Sequence, residues 1–373
     1  MFSSQLGIRL ILMLGKSIPR PAPYEVMRGL TSAQVTNNDR SSDGFQMTFA
    51  LTKTKLGEYD LLQGGALAPS TRVIIAVLLG ITPKVLIDGI ILHHQLTPGN
   101  GPGESTLTVT GKDVSVMFDL KEKDEKHENQ PDSVIVMKLL KNYPQYGLVP
   151  LVTPTTDVPL SLNRIPRQSV ETDFQFIQRL ARRNGYIFYI EPITFQTNTA
   201  YWGPQTRAGL PQPRLTVGEG PSADLASLHL VHDALAPVGT TGSFLEPFTG
   251  TILPIPALPS LRIPPLVASP AQPLRTILTR DTANRNPLQA ALAALASATN
   301  APDAVTAQGE IDTIRYGNVL RARRLVGIRG PGKSYDGYYY VRSVTHTLTP
   351  GNYKQSFQVS REGTGALLPV VVP

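Results

Sequence analysis

Cysteine is absent from the 373-residue chain. That excludes a disulfide framework and any thiolate metal site, and it suits folding in a reducing cytoplasm. Charged side chains are scarce, at 17% of the sequence, against an average of about 25% for globular domains. With 41% hydrophobic residues the chain can bury a sizeable core, and the thin charge implies that partners cover part of the surface. Long apolar runs are missing as well. Val73 to Leu79 is the longest clean one, far short of the roughly 20 residues that span a bilayer, so no membrane segment is expected. No positive charge precedes the apolar run Ile8–Leu14, Arg9 interrupts it, and no small-residue cleavage site follows. No signal peptide is expected either.

Motifs for chemistry are equally thin. No Gly-x-Ser-x-Gly elbow occurs, and a Cys nucleophile is ruled out. Gly327-Ile-Arg-Gly-Pro-Gly-Lys-Ser334 satisfies the Walker A pattern, but a phosphate cradle needs a helix N-terminus after the loop. Here a turn and a β-run follow, Tyr335 to Arg342, and Pro331 removes a backbone donor. The reading is a glycine-rich hairpin loop, with an NTPase as its competitor. His229-Leu-Val-His232-Asp233 lacks a third ligand, and strand positions three apart face opposite ways. Helix capping accounts for Glu171 and Asp173. No catalytic residue, cofactor or metal is expected.

Strands and turns are plentiful. The 33 prolines and 31 glycines favour many turns and short strands, and the length favours two or three domains. Phe45–Leu51 and Ser105–Thr110 alternate with period two, and Arg72–Leu79 and Val85–Leu92 are β-branched runs. Asp88-Gly89 inside the last reads as a bulge or tight bend. Lys121–Glu128 is a charge run expected at a helix end or loop. Ser133–Asn142 reads as a short helix. Thr172-Asp-Phe-Gln175 is a capping box opening a helix with Phe174, Ile177, Leu180 and Ala181 on one stripe, stopped by Asn184-Gly185. A strand, Tyr186–Ile190, follows. Ala236–Leu274 is proline-rich and nearly uncharged, and is expected to be an extended, irregular arm. Pro287–Ala298 reads as a helix with Asn286 at its N-cap, and strands return to the end.

Net charge is +7. Thr313 to Arg361 carries nine Lys/Arg against Asp336 alone. Such a stripe attracts nucleic acid, phosphate or acidic protein. Because no stacking-aromatic motif accompanies it, a solvated or subunit-facing strand surface is the favoured reading. Nucleic-acid binding is the alternative from another class.

One phrase recurs. His94-Gln-Leu96-Thr97-Pro98-Gly99-Asn100 returns as His346-Thr-Leu348-Thr349-Pro350-Gly351-Asn352, matching six positions of seven. Each copy ends a strand, precedes an alternating strand and follows an Asp-Gly pair. The two lie much too far apart for a solenoid repeat of roughly 20–50 residues. They fit two copies of one β-barrel separated by other material, each phrase forming a hairpin turn.

The segment Gln168 to Glu191, with Glu171-Thr172-Asp173-Phe174, a helix, then Gly185 and the aromatic strand through Tyr189, resembles the phage late control D family. That family includes tail hub proteins and the N-terminal hub portion of VgrG spikes. Thr110-Gly-Lys-Asp113, Tyr201-Trp-Gly203 and Gly337-Tyr-Tyr-Tyr-Val-x-x-Val-x-His346 resemble it too. The resemblance implies an α+β, mainly β fold with two tube-like antiparallel barrels. The expected domains are 1–111 (first barrel), 112–210 (mixed α/β) and 211–373 (second barrel), the last interrupted by an insertion at about 236–305. It further implies a non-enzymatic baseplate hub of a contractile injection system, made in the cytoplasm and built into a particle. The expected partners are two further copies of itself, a spike protein, the inner tube protein and other baseplate components, with the tail hub of a prophage or contractile phage as the near alternative.

Overall fold

The computed structural model describes residues 8–54, 57–101, 103–128, 130–155, 166–218, 223–245, 251–255, 262–278 and 287–367. Asn286, expected above at a helix N-cap, and residues 246–250 and 256–261 of the proline-rich arm lie outside them. In the first part of the chain come β1 (Ile8–Gly15), β2 (Arg20–Pro21), α1 (Tyr24–Gly29), β3 (Leu30–Asn38), β4 (Gly44–Ala50), α2 (Asp60–Gln63), β5 (Arg72–Leu79), β6 (Thr82–Thr97) and β7 (Thr106–Asp113). The middle holds β8 (Glu122–Lys126), α3 (Asp132–Leu140), β9 (Leu148–Val152), β10 (Arg167–Thr172), α4 (Asp173–Arg183), β11 (Ile187–Thr194) and β12 (Thr197–Gly203). After it come β13 (Gln212–Thr216), β14 (Leu225–His232), β15 (Val238–Leu245), β16 (Ile252–Ile255), β17 (Val267–Pro270), β18 (Arg275–Leu278) and α5 (Pro287–Asn300). The chain closes with β19 (Val305–Asp312), α6 (Thr313–Tyr316), β20 (Leu325–Arg329), β21 (Gly337–Thr349), β22 (Asn352–Arg361) and β23 (Gly363–Ala366).

The fold is mainly β, as expected, and its centre is one large sheet of 13 strands. In the first half the order is β3-β4-β7-β6-β5-β1, and in the second it is β14-β19-β22-β21-β20-β13. These are the same order, strand for strand along the chain, with α2 and α6 at matching connections. The match extends to irregularities. A bulge falls at Leu30/Ser32 in β3 and at Leu225/Ser227 in β14. Another falls at Ile91/His93 in β6 and at Val341/Ser343 in β21. Beside these, Ser70 and Arg323 both adopt positive φ, 69° and 65°, a costly conformation for non-glycine residues. Ser70 N donates to Ile91 O (2.8 Å) as Arg323 N does to Val341 O (2.7 Å), and Ile91 N and Val341 N donate back to Thr71 O and Arg324 O. The halves differ at their rims: β1 joins β5 antiparallel, whereas β13 joins β20 parallel. Among the described residues no ladder closes either half on itself.

Period-two burial builds the cores. Leu10, Leu12 and Leu14 of β1 face Val73, Ile75 and Val77 of β5, with Phe45, Met47, Phe49, Leu107 and Val109 completing the first core. Leu348 and Tyr353 of the second half also pack there. Val305, Ala307, Val326, Ile328, Val341, Phe357 and Val359 form the second core. The middle core gathers α3, α4, β11 and β12 around Trp202 and Phe176, with Ile90 of β6.

Several expectations are corrected. Asp88-Gly89 is regular ladder, opposite Ile74 and Val73; glycine stands there because a Cβ would collide with the Lys112 carbonyl and the Phe45 ring. The charge run is a strand, β8, paired with β10, because hydrogen bonding along one strand needs no apolar face. The stripe of α4 buries Phe176, Ile177, Leu180 and Ala181, while Phe174 is half-buried. The proline-rich arm is partly ordered: β15 pairs with β16 and β18, β17 pairs with β23, and Thr240 anchors to the Ala294 carbonyl of α5 at 3.2 Å. The prolines inside these strands, Pro254 and Pro270, fall in β16 and β17, short edge strands with few ladder donors to lose.

Candidate functional site: the seam between the halves

The halves are joined edge to edge. β3 pairs antiparallel with the last part of β21, from Asn38 opposite Ser343 to Ala33 opposite Leu348. Thr36 and Thr345 touch across this ladder through hydroxyls 3.1 Å apart. Ala33, Val35, Val344 and His346 are fully buried along it.

Two buried ionic clusters lock the Asn38–Ser343 end of the seam. In one, Arg323 donates to the Asn38 carbonyl at 2.6 and 3.2 Å and pairs with Asp43. Asp43 also accepts from Asn37 Nδ2 and the Asn38 N–H, each at 2.8 Å, and its own N–H donates to Asp113 at 2.7 Å. The guanidinium lies 4.2 Å from the centroid of Tyr189, so the middle unit is tied in as well. Burial weakens the Arg323 charge, but the Asp43 carboxylate outweighs it and holds the guanidinium protonated. Asp113 is pushed up to about 6, first by burial and then by the Asp43 charge.

In the other cluster Asp303 meets Arg207 (3.1 Å), Arg262 and Arg342 (3.6 Å), and Ser360 donates to it at 2.5 Å. Glu362 balances Arg207 at 2.5 Å, and Asp39 balances Arg342 at 3.4 Å. Burial pushes the Asp303 carboxyl up, yet Arg262 and Arg207 outweigh it and hold it below the usual range. A third pair, Arg72–Asp88 (2.6 Å), joined by Asn198 at 2.9 Å, fixes the first half to the middle unit. Among the described residues no group of three His, Cys, Asp or Glu could hold a metal, and no helix is long and apolar enough to cross a membrane.

The recurring phrase falls in equivalent hairpins, but slipped. The ladders place His94 opposite Val109, and Val344 opposite Phe357; with the bulges aligned, the counterpart of His94 is Val344, and that of His346 is Leu96. Pro350-Gly351 is a two-residue turn between Thr349 and Asn352, with Gly351 at φ 77°. In the first copy the strands part at Thr97 and Thr106, so Pro98, Gly99 and Asn100 lie in a longer loop. His346 is buried, 2.9 Å from the Tyr353 hydroxyl, and burial drives its pKa down to about 3. His94 is half-buried against the Leu67 carbonyl.

The helix–strand segment is an anchor. Thr172 and Gln175 form the capping box, and buried Asp173 accepts from Lys123, Tyr143 and Gln168 at 2.7, 2.7 and 3.1 Å. Glu171 pairs with Arg179 at 2.9 Å, Phe174 meets the edge of Phe188, and Tyr189 stacks on Tyr201. Gly185 turns the chain at φ 68° beside Ala296. In Gly327–Ser334 the first three residues end β20 and the rest turn toward β21, with no helix after them, and Gly330 N donates to Asp336 at 3.0 Å. His229 and His232 are exposed on β14.

Most of the basic C-terminal stripe is used internally. Arg315, Arg323, Arg324, Arg342 and Lys354 pair with carboxylates. Arg321 donates to the Val85 carbonyl at 2.6 Å, and buried Arg361 donates to Asp336 and Ser334 carbonyls at 3.0 and 2.6 Å. The sequence reading missed the residues that make the seam: Asp43, Arg323, Asp303 and Arg207. Asp43 and Arg323 are 280 positions apart, and no local signal marks either.

The fold, two like half-sheets joined by a buried seam around a helix-bearing unit, is similar to that of solved phage tail proteins. A tail protein from Neisseria meningitidis matches over 95% of this chain and 97% of its own, with a TM-score of 0.63 at 12% identity. The 43 kDa tail protein of prophage MuSo2 from Shewanella oneidensis matches over 95% and 98%, with a TM-score of 0.61 at 14% identity. An Escherichia coli component of the type VI secretion system, described as structurally similar to bacteriophage T4 tail proteins gp27 and gp5, covers 92% of this chain and 77% of its own (TM-score 0.55, 10% identity). No family model and no curated protein matches the sequence.

Proposed function

We propose that the chain is a structural hub of a phage-tail-like baseplate, acting as a homotrimer that adapts a three-fold spike to a six-fold inner tube. The observation that carries this is the duplicated strand order with its shared bulges and positive-φ residues. Two equivalent halves per chain give three chains six equivalent positions, which is a physical reason to keep two copies in one polypeptide. In this reading residues 1–111 and 211–373 form the two barrel units of the ring, and 112–210 the mixed unit beside them. The similarity in fold to a tail protein and to a type VI secretion component supports a place in a tail-like particle, where a spike and other baseplate components are the partners this reading requires. The internal use of the basic stripe leaves little for nucleic acid to read. Mass measurement in solution, alone and with a candidate spike protein, tests the proposal. Three chains per particle, retained with the spike, support it; a monomer that binds no spike overturns it.

A further inference from the structure

The internal seam uses two edges: the outer edge of β3, and β21 beyond Val341, where its pairing with β20 has ended. The duplication gives each edge a counterpart. Aligned on the bulges and positive-φ residues, β14 stands for β3, and β6 beyond Ile91 stands for β21 beyond Val341. Both counterparts are bare. Among the described residues β14 pairs with β19 alone, and His93–Thr97 pair with β7 alone. They lie at opposite ends of the run β14-β19-β22-β21-β3-β4-β7-β6, so one chain does not join them.

Burial points the same way. Val35 and His346, opposite each other in the internal seam, are both 0% exposed. Their counterparts are Leu230, half-buried, and Leu96, 41% exposed. Val231, the counterpart of Thr36, is 45% exposed. β14 reads Leu-Ala-Ser-Leu-His-Leu-Val-His, with no Lys, Pro or acid inside it. Unprotected edges of this kind are templates for another strand.

We propose that β14 of one copy pairs antiparallel with His93–Thr97 of the next copy, repeating the β3–β21 seam between chains. Leu230 then sits opposite Leu96, Val231 opposite Gln95, and Asp233 opposite His93, an acid facing a base. The contact is head-to-tail, so it propagates until the ring closes, and internal and external seams alternate around it. The proposal rests on the trimeric reading above and names the surface that makes it.

The absence of cysteine makes a clean test. In antiparallel sheets opposed Cα atoms lie roughly 4.5–5.5 Å apart, inside the disulfide range of about 4.4–6.8 Å. The double variant Gln95→Cys/Val231→Cys, mildly oxidised, is expected to run as covalent dimers and closed trimers on a non-reducing gel. Each single variant alone is expected to stay uncross-linked, and a mixture of the two singles to give dimers. Both positions are exposed; should the double variant not fold, the mixture carries the same test. Thr36→Cys/Thr345→Cys reports the internal seam as a cross-link without change of mass. A three-chain particle by light scattering with no Gln95–Val231 cross-link overturns the edge pairing while the trimer stands. A protein that stays monomeric overturns both.

Discussion

The two halves share one strand order but carry different charges at the same places. At the positive-φ corner the first half has Ser70, exposed, and the second has Arg323, buried against Asp43. At the bulge that follows, the first has Leu92 and the second Arg342, which reaches Asp39 and Asp303. The arginines stand only where one half abuts the other within a chain. The internal seam is thus pinned by ions that a chain-to-chain seam of the same geometry would lack. The comparison teaches that a duplicated scaffold becomes one rigid piece where charge has been added and keeps a separable edge where it has not.

The largest break in that comparison comes at the charge the most arginines share. Asp303→Ala removes the buried carboxylate that Arg207, Arg262 and Arg342 share, and about 3–5 kcal/mol should be lost, read as a fall in the denaturant midpoint. Arg323→Ala leaves Asp43 buried and unpaired and should cost about 3 kcal/mol, whereas Ser70→Ala at the matching corner stays within about 0.5 kcal/mol. Equal costs for the two in chemical denaturation would end the claim that the corners have diverged.

A smaller effect separates His346 from its counterpart Leu96, and pH reveals it. The folded ring has its pKa lowered from 6.5 to about 3. Between those values the unfolded chain binds the extra proton, so this contribution is present above pH 6.5 and is lost as pH falls. The slope is at most about 1.4 kcal/mol per pH unit. His346→Gln should flatten the fall in stability below pH 6.5, measured by urea melts across pH. Asp113, raised from 3.8 to about 6, acts with the opposite sign: its contribution is present below pH 3.8, is lost as pH rises to about 6, and is constant above that. Smallest of all, Ser70→Gly relieves the positive φ and should raise the thermal midpoint, by less than about 1 kcal/mol of stability.

Much of this architecture was legible in the residues. Period two marked β4 and β7, β-branched runs marked β5 and β6, and the capping box at Thr172 set the start of α4 to the residue. The repeated His-x-Leu-Thr-Pro-Gly-Asn located equivalent hairpins, though with a two-residue slip that side-chain alternation hides, since both registers keep the same face inward. Turn length caused it: one copy turns in two residues and the other in a longer loop. The seam was not legible, because Asp43, Arg323, Asp303 and Arg207 carry ordinary charges whose partners lie far along the chain. The strands within the proline-rich arm were hidden for a related reason. Their pairing to β23 and α5 is tertiary, and proline counts speak against regular structure without forbidding short edges.

End-on electron-microscope averages of the purified particle, scaled by a measured mass, test the equivalence of the halves most directly. The account predicts a ring of three chains whose wall repeats six times at even spacing. Three lobes parted by gaps, with the first and second halves in different surroundings, would contradict it.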